Sequence, residues 1–208
     1  MKRLILALAA LGALAGCGAK NADYDQPDPA RAERAYHHDA PPSLTLITIR
    51  SNDSGKGAHT ALLINGSERV IFDPAGSFHH PQIRRDGDVL VGISPAFWEG
   101  YRSMHARETH HVDTQTVTVS AAVAEQALRL AYGRGAVPGA QCANSTSAIL
   151  AQLPGFEGIR RTWWPNQLEE SFQQVTGVAP TSYYEDYSPV PAGAVLGIDR
   201  TTVARAEG

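Results

Sequence analysis

A thiol and an imidazole are the side chains of this sequence best suited to chemistry in combination. Cys142 is one of 2 cysteines in the chain. The stretch before it, from Gly133 to Gln141, is rich in glycine, which lets backbone come close to a ligand. The stretch after it, Cys142 to Leu153, is helix-like and is stopped by Pro154-Gly155. A cysteine at a helix start faces unpaired backbone N–H groups, which favour thiolate over thiol and can hold an oxyanion. The plain alternative is a small buried hydrophobe, the usual role of a free cysteine.

A thiolate nucleophile needs a base within hydrogen-bond reach and a third group that fixes the base's tautomer. His59 opens the run His59–Ile64 and Asp73 closes the run Glu68–Asp73, with Asn65-Gly66 between them. These runs are expected to pair as antiparallel strands, the Asn-Gly pair supplying the positive φ of a tight hairpin. His59 and Asp73 lie at similar distances on either side of the turn, so their side chains can meet. The structural alternatives are a strand histidine bonded to backbone and a turn aspartate ahead of Pro74.

The elements that must position these residues follow from periodicity and turn chemistry. Leu44 to Arg50 is a strand ending in the loop Ser51–Gly55, Asp86-Gly87-Asp88 leads into the apolar run Val89 to Ile93, and His111 to Val119 alternates as a further strand. Ser120 is placed to cap a helix through Tyr132, with Val123, Leu128 and Leu130 inward and Gly133 near its end. Asn166 with Glu169 has the spacing of a capping box for a helix to about Val175. The tail from Pro180, with Tyr183, Tyr184 and Tyr187, is expected to be irregular, and Ile83 to His110, including Pro95-Ala96-Phe97-Trp98, is assigned no functional counterpart.

A helix-start cysteine combined with a His-led strand, a short turn and a second strand ending in a polar residue resembles the NlpC-type branch of the papain-like hydrolases. His59 precedes Cys142, so the nearer resemblance is to the circularly permuted members, which include bacterial lipoproteins and the lecithin retinol acyltransferase group. The resemblance covers about His59 to Leu153. It implies an α+β fold, a small antiparallel β-sheet packed with the nucleophile-bearing helix. It also implies attack by Cys142 on an amide or ester carbonyl, with His59 as base, Asp73 as orienting group, and His79 or His80 as alternatives to Asp73. Water would complete a hydrolase and an amine or alcohol an acyltransferase; neither needs a cofactor.

The N-terminus speaks to location. Lys2-Arg3 precede an apolar run from Leu4 to Ala15, shorter than the roughly 20 residues of a membrane-spanning helix and matched to a secretory signal. Leu14-Ala15-Gly16-Cys17 resembles the bacterial lipobox, implying cleavage before Cys17 and its acylation. Gly18 in place of Asp points, by the same resemblance, to the outer membrane facing the periplasm. The expected organisation is a signal peptide over 1–16, a lipidated cysteine and flexible tether over 17–42, and a catalytic domain over 43–208. The membrane is then one partner and peptidoglycan stem peptides, or another acyl or amide compound, the substrate.

Composition narrows the rest. A net charge of −3 from 18 basic and 21 acidic residues lacks the basic excess that nucleic acid requires. The pairs His37-His38, His79-His80 and His110-His111 point to opposite faces where they lie on strands, and no zinc-ligand spacing accompanies them, so no metal is expected. The competing functional class is a non-enzymatic envelope lipoprotein that binds a partner or the cell wall through Trp163-Trp164 and the Tyr183-Tyr184 region.

Overall fold

Strands rich in β-branched and aliphatic residues on both faces belong in the middle of a sheet covered on both sides, and β1 (Ser43–Ser51) and β2 (Gly57–Asn65) have that character. The computed structural model describes residues 31–185. Cys17, the segment expected to be a signal peptide and Tyr187 lie outside the described residues. The remaining strands are β3 (Arg69–Phe72), β4 (Arg84–Asp86), β5 (Val89–Val91), β6 (His110–Thr118) and β7 (Thr181–Tyr183). All seven form one antiparallel sheet in the order β4-β5-β3-β2-β1-β6-β7. Among the described residues four helices longer than a single turn accompany them: α1 (Pro95–His105), α2 (Ala121–Arg134), α3 (Cys142–Leu150) and α4 (Pro165–Thr176). The fold is therefore α+β, and none of the described helices is long and apolar enough to cross a membrane.

Alternate residues of the central strands feed two cores. Leu44, Leu46, Leu62, Ile64 and Phe72 face α2, α3 and α4, meeting Leu128, Ile149, Leu168 and Phe172. Ile47, Ile49, Leu63 and Ile71 face the other way, under Tyr101 of α1. The sheet thus separates α3 from α1, and any site using both must form where the sheet is interrupted.

Several local expectations change in the folded chain. The β2–β3 hairpin pairs Asn65 with Arg69, leaving Gly66, Ser67 and Glu68 as the loop. Gly66 does not take positive φ. It is small because α2 presses on it: an added Cβ would sit 2.9 Å from both Glu125 Oε1 and Leu128 Cδ1. Asn65 turns its amide to the carbonyls of Ala40 and Pro41, and Arg69 N–H donates to Tyr36 O. The end of the segment expected to be a tether is thereby laid against the sheet.

Asn166 and Glu169 do not form a capping box. Pro165 starts α4, and Trp164 before it caps without a side-chain bond. Asn166 instead accepts from Gly57 N–H and donates to Gly55 O, while Glu169 pairs with Arg50. The tail contributes β7, which pairs with β6, and the unassigned stretch contains α1, capped by Ser94 Oγ with Pro95 in its first turn. By contrast Ser120 caps α2 as expected, its Oγ accepting from Val123 N–H. The helix at Cys142 ends at Leu150.

The seam between α4 and the β1–β2 turn is tight at Gly57, where an added Cβ would lie 2.7 Å from Pro165 Cβ and 3.1 Å from Asn166 N. Gly57→Ala is expected to destabilise the fold by about 1–3 kcal/mol through overpacking, measured as a lowered denaturation midpoint. An unchanged midpoint would show that α4 pivots freely away from the turn.

Candidate active site

The interruption in the sheet lies beside β2. β3 pairs only with Leu62 to Asn65, so residues 57–61 of β2 have no strand on that side. His59 sits opposite Ile49 on β1, which places its ring on the α1 face. The chain leaves β3 at Asp73 and turns through Pro74 and Ala75, with Gly76 N–H donating to Asp73 O at 3.0 Å. Ala75 takes φ 57°. A Cβ on Gly76 would fall 1.9 to 2.2 Å from the Asp73 carboxylate, so this turn closes around the acid only because position 76 is glycine.

Asp73 is fully buried. Its Oδ1 accepts from His59 Nε2–H at 2.7 Å and from Tyr101 O–H at 3.0 Å. Its Oδ2 accepts from Arg85 Nη2–H at 2.7 Å, and Arg85 Nη1–H reaches Asp73 O at 3.0 Å. Burial by itself would raise this carboxyl, but the His59 bond and the charges of His59 and Arg85 outweigh it and hold the acid below the usual carboxylate range.

With Nε2 committed to Asp73, the His59 ring lies close enough to Cys142 for each to stabilise the charged form of the other. Burial opposes charge on the ring, yet Asp73 and the sulfur together raise His59 to about 10. Cys142 occupies the first position of α3 and is 8% exposed. Burial pushes its thiol up; the bond to His59, the imidazolium charge, and the backbone N–H groups of Thr60 and Ala143 outweigh this and bring it below its ordinary value. At Thr60, β2 pairs with β1 but has no strand on the β3 side. Both shifts favour a thiolate facing an imidazolium, the form that attacks carbonyl carbon.

Of the sequence-derived candidates, Cys142, His59 and Asp73 come together. His79 is exposed, and His80 accepts from Gln82 N–H; the partner of His59 Nε2 is Asp73. Among the described residues no group of three or more His, Cys, Asp or Glu side chains is arranged to hold a metal ion. Trp163, Trp164 and Tyr184 are exposed, by 56%, 64% and 60%.

Three residues around the site were not anticipated from sequence: Arg85, Tyr101 and His105. Tyr101 and His105 are one turn apart on α1, and the His105 ring lies parallel to that of His59 with centroids 6.2 Å apart. His105 Nδ1–H donates to Tyr101 O at 2.8 Å, and burial lowers its pKa, favouring the neutral ring beside the charged His59. The Ser94-Pro95 start signal was the available clue to α1.

Losing the Asp73 carboxylate would leave His59 without its carboxylate partner and Arg85 with only the longer contact to Asp88, so Asp73→Ala is expected to cost about 3–5 kcal/mol. Because this acid is depressed in the fold, its contribution is complete above the unfolded carboxylate value of about 4 and is lost as pH falls toward the folded value. Thermal midpoints measured downward from pH 5 should therefore fall more steeply for the parent than for Asp73→Asn. Equal slopes would show that Asp73 is not ionised in the fold. Comparison of the chain with protein-family models, curated proteins and solved structures finds no match.

Proposed function

We propose that the chain is a thiol hydrolase of the circularly permuted NlpC-type papain-like class, cleaving amide bonds through Cys142, His59 and Asp73. The observation that carries this reading is the convergence of three groups: Asp73 is bonded to His59, and His59 lies beside a sulfur at a helix N-terminus whose thiol it lowers. The order along the chain also supports it, since the strands bearing base and acid precede the nucleophile helix. A buried structural cysteine needs neither a charged imidazole nor two amides at its sulfur.

In this mechanism the Cys142 thiolate adds to the substrate carbonyl carbon, and the carbonyl electron pair moves to oxygen. The amide of Cys142, at the first position of α3, is free to bind that oxyanion. As the intermediate collapses, the C–N bond breaks and His59 gives its proton to the departing amine. A thioester remains on Cys142. His59, now neutral and still held by Asp73, takes a proton from water, the hydroxide equivalent displaces the sulfur, and a carboxylic acid leaves. An amine or alcohol in place of water would make the same site an acyltransferase.

The lipobox at Leu14–Cys17 supports export and acylation of Cys17, and with it an envelope location at the outer membrane facing the periplasm. Peptidoglycan stem peptides are the amide substrates of that compartment and the first to assay.

The test is the rate of Cys142 alkylation by iodoacetamide across pH, alongside release of new amino termini from purified peptidoglycan. Alkylation should begin well below the free-thiol value of about 8.5, and hydrolysis should hold up to the alkaline limit set by His59 at about 10. His59→Ala should remove the low-pH alkylation, and Cys142→Ala should lower hydrolysis by a factor on the order of a thousand or more. Ordinary thiol behaviour, indifferent to His59→Ala, would sink the proposal.

A further inference from the structure

The tip of the β4–β5 hairpin touches both halves of the site. Asp88 is 4% exposed. Its Oδ2 accepts from two backbone amides far apart in sequence: Ala75 N–H at 3.2 Å, in the turn that wraps Asp73, and Val137 N–H at 2.9 Å, in the loop that leads into Cys142. Its own backbone O accepts from Asp73 N–H at 2.8 Å. Arg85, on the same hairpin, binds the Asp73 carboxylate and carbonyl and reaches Asp88 Oδ1 at 3.4 Å.

The approach loop is built to need such a brace. It runs through Gly135, Pro138 and Gly139 to Ala140, which takes φ 63°, and Gln141 precedes α3 as its cap without a side-chain hydrogen bond. Gly87, at φ 58°, lies so close to this loop that an added Cβ would be 3.1 Å from both Cα and C of Gly135. Two backbone segments are thus in contact where one carboxylate bonds to the loop on one side and to the acid's turn on the other.

We infer that Asp88 is a positioning residue, which sets the loop carrying Cys142 in register with the His59–Asp73 pair while touching neither sulfur nor imidazole. This rests on the hydrolase reading for its purpose, but not for its test. Asp88→Ala removes the shared acceptor. Asp88→Asn keeps an oxygen for the Ala75 and Val137 amides. Gly87→Ala leaves Asp88 in place and pushes the hairpin off the loop.

The experiment measures iodoacetamide alkylation of Cys142 across pH in the full chain, with thermal midpoints recorded beside it. For Asp88→Ala the acid limb is expected to move up by about one pH unit, so that alkylation near pH 6 falls about tenfold. Asp88→Asn should stay within about threefold of the parent, and Gly87→Ala should move in the direction of Asp88→Ala. A folded Asp88→Ala with the parent's profile and only a lower midpoint would overturn the inference. If Asp88→Ala does not fold, a parent-like profile in Gly87→Ala would overturn it instead. A parent protein whose own thiol is ordinary would overturn the hydrolase reading, whereas a low parental limb unmoved in these variants would remove only the role of Asp88.

Discussion

A carboxylate with no exposure to water must find its solvation inside the protein, and Asp73 is the group around which that demand organises this molecule. Its donors come from three places: an imidazole on β2, a phenol on α1 and a guanidinium on β4. Each donor fixes the element that supplies it. α1 packs with Tyr101 aimed at the acid, the β4–β5 hairpin folds back to deliver Arg85, and the turn after β3 accepts an alanine at positive φ to keep Gly76 against the carboxylate. The charge so fixed holds the His59 proton, and through it the state of the sulfur.

The second constraint is the shortness of β3. Had it continued alongside β2, its backbone would have taken the Thr60 amide and filled the space beside His59. Ending at Phe72, it opens a gap through which α3, packed on one side of the sheet, presents Cys142 to a ring on the other. The thiol and imidazole thus belong to opposite layers and meet at a break in the wall between them. Burial and hydrogen bonding around the break are dense, with Thr60, Asp73, Asp88 and Cys142 all nearly inaccessible, so the geometry is held rather than sampled.

Cys142, His59 and Asp73 were legible in the sequence because each sits at the end of a locally encoded element, where a glycine, a proline or a change of periodicity marks its place. Arg85, Tyr101 and His105 were not, because nothing local says which way the β4–β5 hairpin or α1 folds over the sheet. The Asn65-Gly66 turn misled for a related reason. The pair is as well suited to positive φ as any, but Asn65 is claimed by carbonyls of the incoming segment and Gly66 by the approach of α2. Tertiary demand chose the same residues for other purposes. Asn166 and Glu169 repeat the lesson, their side chains going to Gly57 and Arg50 rather than to their own helix start, and β7 is a strand of three residues defined by its neighbour alone.

The route by which the chain enters the sheet gives the molecule a direction. Residues 36–42 are bonded at the β2–β3 hairpin, to Asn65, to Arg69 and, from Pro42, to Val119, while the thiol and imidazole lie toward the other end of the β1–β2 ladder, about 20 Å away at strand rise. Any leash ahead of residue 31 would therefore pull on the pole remote from the Cys142 sulfur. With acyl chains on Cys17, as proposed, the catalytic mouth would be carried outward from the bilayer, toward whatever polymer lies beyond it.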